Sequence, residues 1–82
     1  MRELMVSVGN VEQRDALVRF LRECGARPRL LDQQGVAVDL DDGGCPSLVS
    51  LVADIDTWRG RARVSEAILR LGGETRILRT EA

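Results

Sequence analysis

The sequence contains no histidine, no lysine and no tyrosine, and its aromatic complement is one tryptophan and one phenylalanine. Each gap removes a kind of chemistry. Without an imidazole, and with no CxxC pair, a zinc site is not expected. Without lysine there is no amine to form a Schiff base. With so few rings there is no stacking platform of the kind single-stranded RNA uses. Proline is scarce, at positions 28 and 46, and cysteine is limited to Cys24 and Cys45. The two thiols fall in unlike contexts, a predicted helix and a Gly-rich loop, so they read as reduced and unpaired. No apolar run approaches the length of a membrane span. The first residues lack the basic-then-apolar order of a secretory leader. A cytoplasmic protein without a membrane segment is expected.

What the chain does hold is an ordinary globular balance, 44% apolar and 30% charged, in 82 residues. That is one domain with a modest core, burying roughly 60–65% of its unfolded surface. All twelve basic residues are arginine, and the net charge is −1. The charge is polarised along the chain. Residues 1–31 and 57–82 are net basic, and residues 32–56 carry six aspartates with no base. Such polarity can steer a charged partner.

The organising stretch is Gly35–Leu40, a short alternating run that ends in Asp41–Asp42–Gly43–Gly44–Cys45–Pro46. Before it, Glu3–Val8 alternates with Leu4, Val6 and Val8 on one side, the pattern of a half-buried strand. Gly9–Asn10 stops it, and Asn10 with Gln13 supplies a capping box for a helix over Val11–Cys24. Gly25 is its C-cap. Arg27–Asp32 reads as a second strand, an edge because Pro28 cannot donate to a ladder. Gln33–Gln34–Gly35 connects it to a third strand, Val36–Leu40. Leu48, Leu51, Val52, Ile55 and Trp58 keep helical spacing, and the aspartates at 54 and 56 suggest an end near Thr57. Arg59–Arg63 breaks the phase. Val64, Ala67, Ile68 and Leu71 restart a helical stripe, which Gly72–Gly73 ends, and Glu74–Thr80 is the last strand. A second parse makes Trp58–Val64 a strand and Ser65–Leu71 a helix.

The preferred order is β-α-β-β-α-β, with the second helix in two pieces. It implies an α+β, two-layer ferredoxin-like sandwich with a four-stranded antiparallel sheet in the order 4-1-3-2 and helices on one face. The Pro-bearing second strand and the Arg-rich last strand would then be edges.

Several residues are candidates for chemistry or contact. Cys45, next to a helix start, is the one plausible nucleophile, with no histidine to activate it and Asp41 and Asp42 opposing its ionisation. The Asp39–Gly43 run lacks the spacing of a calcium loop. Gly9 and Asn10 sit where backbone N–H groups can receive an anion, and the bland reading is a capped helix start. Arg59, Arg61 and Arg63 form a basic cluster that suggests nucleic acid, but the missing aromatics and the slight negative charge argue against it. The sheet face away from the helices would carry Met5, Ser7, Ala37 and Asp39, with Leu31 and Leu78 from the edges. Trp58, at the end of the second helix, is a further contact candidate or a cap on the core.

These observations favour a small non-catalytic module without a cofactor, working as a homodimer or by binding a protein partner. The alternative is a regulatory domain that senses a small molecule at the first strand–helix turn. Nucleic-acid binding through Arg59–Arg63 ranks below both.

Overall fold

The computed structural model describes residues 2–41 and 47–79. Along the chain run β1 (Glu3–Ser7), α1 (Val11–Glu23), β2 (Pro28–Leu30), β3 (Gly35–Asp39), α2 (Leu48–Arg61), β4 (Glu66–Leu71) and β5 (Glu74–Arg79). The strands form one five-stranded sheet in the order β2-β3-β1-β4-β5, with every neighbouring pair antiparallel.

The α+β class and the antiparallel sheet match the sequence reading. The four-stranded plan does not, because the sheet has a fifth strand. Residues 66–71, expected to be helical, are β4, and they pair with both β1 and β5. The parse that made Ser65–Leu71 helical fails for the same reason, and residues 58–61 are the end of α2 rather than a strand. The confusion has a physical source. Ala67, Leu69 and Leu71 face the core as a strand should. Ile68 lies on the opposite side, directly across from Ile77. An apolar residue on each side mimics the i, i+3, i+4, i+7 spacing of a helix. Gly72–Gly73, read as a helix stop, is a two-residue hairpin turn. Gly72 has φ +61° and Gly73 does not have a positive φ, the pattern of a type II′ turn.

Both helices pack on one side of the sheet. The core joins Leu4, Val6, Val36, Val38, Ala67 and Leu69 from the strands to Leu17, Leu21, Leu51 and Ile55 from the helices. Trp58 belongs to this core and is stacked on Phe20 with ring centroids 6.2 Å apart.

The helix ends follow from local chemistry. Asn10 caps α1, its Oδ1 accepting the Gln13 N–H at 2.9 Å. Gln13 returns the favour one residue early, its Oε1 accepting from the Gly9 N–H rather than from Asn10. Ser47 caps α2 by accepting the Ser50 N–H. At both C-termini the chain reverses in the same motif. Ala26 N–H donates to the Leu21 carbonyl and Gly25 N–H to Arg22; Val64 N–H donates to Arg59 and Arg63 N–H to Gly60. Gly25 takes the left-handed position after α1 at φ +90°, whereas Arg63 takes it after α2 at φ +58° without a glycine's freedom.

Helix α2 extends to Arg61, one turn beyond the expected end at Thr57. The carboxylate of Asp56, unfavourable near a helix C-terminus, is matched by Arg59 one turn on, with Nη2 at 3.0 Å from Oδ1.

Candidate interaction surface

Strand register decides which side chains share the uncovered face. Across the sheet, Arg29 pairs with Ala37, Ala37 with Met5, Met5 with Arg70, and Arg70 with Thr75. The adjacent row runs Gly35, Ser7, Ile68 and Ile77. Leu31, one step past the end of β2, continues the Arg29 side by strand alternation. It is 43% exposed, and Ile77 is 44% exposed. Among the described residues no helix covers this face. Its apolar residues are Leu31, Ala37, Met5, Ile68 and Ile77. One charge, Arg70, stands within it between Met5 and Thr75, and the others lie toward its margins. Arg29 reaches across β3 to Glu3, its Nη2 3.0 and 3.1 Å from the two carboxylate oxygens, and Glu66 stands opposite Arg79. The Glu3–Arg29 pair spans Ala37, which is 2% exposed although it lies on the uncovered side.

Of the residues named from the sequence as contacts, Met5, Ala37, Asp39 and Leu31 therefore share this face. Leu78 does not. It pairs with Ala67, a core residue, and packs against the core from the helix side. The shift comes from the same source as the extra strand: with 66–71 extended, the register places the even residues of β5 inward. Trp58 is 7% exposed and belongs to the core. Ile68 and Ile77, missed in the sequence reading, were signalled by the Gly-Gly turn between two six-residue runs.

The basic cluster is divided. Arg61 and Arg63 are exposed, but Arg59 is buried. Its Nε donates to Asp56 at 3.1 Å and its Nη1 to the Val64 carbonyl at 3.1 Å. Since the Val64 N–H donates to the Arg59 carbonyl, the residue holds both backbone groups of Val64 and ties α2 to the approach to β4.

The first strand–helix turn is already occupied by the chain's own groups. Gln13 takes the Gly9 N–H at 2.7 Å, Asn10 takes the Gln13 N–H, and Gln34 Nε2 donates to the Gly9 carbonyl. An anion at this turn would have to displace Gln13.

Asp39 and Asp41 are likewise engaged. Asp39 Oδ1 accepts the Asp41 N–H, and Asp41 accepts the Arg2 N–H at 2.7 Å. That backbone hydrogen bond, with the Arg2 charge beside it, lowers the Asp41 pKa below the ordinary aspartate value. Burial, then the carboxylates of Asp54 and Glu23, raise the pKa of the Cys24 thiol. Cys45 and Asp42–Gly44 lie outside the described residues. Among the described residues no helix is long and apolar enough to cross a membrane.

No family model, curated protein or solved structure matches this chain.

Proposed function

We propose that this protein is a small non-catalytic module that works by association, with a second copy of itself or as an adaptor for another protein. The observation that carries the reading is the uncovered sheet face. It presents Leu31, Met5, Ile68 and Ile77 around one inner charge, Arg70, with further charges toward the margins, a mixed apolar and charged surface that suits an interface. The scarcity of catalytic side chains supports the same reading: no histidine, no lysine and no tyrosine. The layout itself supports a split βαβ plan extended by one hairpin strand, since β4-β1-β3-β2 follows the expected neighbour order.

Light scattering on the intact chain at high micromolar concentration tests the self-association form. The expected result is a mass above that of one 9.0 kDa chain. A strictly monomeric mass removes that form and leaves the adaptor form to be tested against native partners.

A further inference from the structure

The two edges of the sheet are built differently. The β2 edge is three residues long and begins with Pro28, the kind of short, proline-bearing edge that resists pairing with another chain. The β5 edge is six residues long and has no proline. In a two-residue hairpin the closing residues, here Leu71 and Glu74, exchange both backbone bonds. Alternation then gives the Arg76 and Leu78 amides to β4 and turns the amides and carbonyls of Thr75, Ile77 and Arg79 toward the open edge. Among the described residues no backbone group meets them there.

Resting on the reading of the protein as an associating module, we propose that β5 is its self-pairing edge: two copies join β5 to β5 antiparallel, with Ile77 on the two-fold axis. The occupant follows from the strand's own sequence. Antiparallel self-pairing admits only registers that set outward-facing backbone against outward-facing backbone. Centring on Arg76 would set two guanidinium groups directly opposite each other, which is unfavourable. Centring on Ile77 sets Ile77 against Ile77 and Thr75 against Arg79, and forms about six backbone hydrogen bonds. On the uncovered face Ile68 stands beside Ile77 in each copy. The axis therefore gathers four isoleucines in one continuous apolar strip. On the helix side Arg76 faces Leu78 of the second copy, so no like charges stand directly opposite. An isologous contact of this kind closes on itself, which suits a dimer and stops growth through this edge.

The test places single cysteines on the edge of a chain carrying Cys24→Ala and Cys45→Ala. In the proposed register Ile77→Cys puts two thiols across a bonded pair, about 5.5 Å between Cα atoms and within disulfide reach. Thr75→Cys puts them four residues apart along the strand, roughly 13 Å. Mild oxidation is expected to link the Ile77→Cys chains and to leave the Thr75→Cys chains largely unlinked. In the otherwise native chain, Ile77→Lys is expected to weaken the dimer about tenfold or more. Val49→Lys, at an exposed apolar site on α2, should leave the dimer unchanged. The Trp58 fluorescence of each variant, compared with the native chain, establishes that it is folded. A native chain that is dimeric by light scattering, yet fails to link through Ile77→Cys and keeps its mass with Ile77→Lys, overturns the edge and leaves association standing. Equal linking of both cysteine variants overturns the register. A native chain that is monomeric at every concentration overturns the edge and the self-association reading together.

Discussion

Replacing Arg59 by methionine keeps much of the side chain's bulk and removes its charge. The Val64 carbonyl and the Asp56 carboxylate then lose their donor. Because Arg59 is buried at 8% exposure, a loss of about 2–3 kcal/mol is expected in denaturant unfolding followed by Trp58 fluorescence. The same change at Arg61, which is exposed, should fall within about 0.5 kcal/mol of the native chain. Equal effects at the two sites would contradict the division of the cluster. From sequence the three alternating arginines look alike; their difference arises only once α2 runs to Arg61 and turns Arg59 inward. Two titratable groups add checks. The folded pKa of Asp41 lies below its unfolded value, so its contribution is complete above the ordinary value of 3.8 and is lost as pH falls through the lowered one. Asp41→Asn should therefore be less stable than the native chain at pH 7, with the difference closing in acid. Cys24, whose pKa is raised by burial and then by Asp54 and Glu23, stays protonated near neutrality. Its alkylation by iodoacetamide at pH 7.5 should be slower than that of a free cysteine peptide.

At the scale of the element, the turns carry the clearest expectations. Gly60 lies inside α2 with open space where a Cβ would sit. Gly60→Ala should stabilise the protein by about 0.5–1 kcal/mol. Arg63 holds a left-handed conformation at the position where glycine is favoured, so Arg63→Gly should raise stability by a similar amount, about 0.5–1 kcal/mol. Gly72→Ala should lower it by about 1 kcal/mol, because the type II′ turn needs φ +61° there. A set of thermal melts checks all three signs. The first half of the chain was legible because its signals agree: clean alternation in β1, the Asn10 cap, Gly25 after α1 and Pro28 at an edge. The second half was not, because two local signals pointed the wrong way. Gly60 and three arginines obscured the last turn of α2, and Ile68 turned a strand into an apparent helical stripe. Both confusions come from tertiary context: the helix is held by Trp58 packing on Phe20, and Ile68 by its neighbour across the hairpin.

At the scale of the whole molecule, the described residues give a sheet with one face covered by helices and one face open, one short edge and one long edge. Most of the open face was legible in the sequence, through Met5, Ala37, Asp39 and Leu31. Leu78 falls on the covered side, and Ile68 and Ile77 join the open one, because the fifth strand sets the register of that half of the sheet. The Arg-rich last strand is expected at an edge, and β5 is one; what spacing alone does not show is β4, the strand that stands between it and β1. The proposed self-pairing rests on that edge and not on the apolar face alone.

Backbone amide exchange in β5 tests this most directly. The Arg76 and Leu78 amides bond to β4 and serve as an internal reference. The Thr75, Ile77 and Arg79 amides face the edge. Measured on the intact chain at two protein concentrations, the edge amides are expected to become protected as concentration rises, while the reference amides change little. Rapid exchange of Thr75, Ile77 and Arg79 at both concentrations would contradict the account.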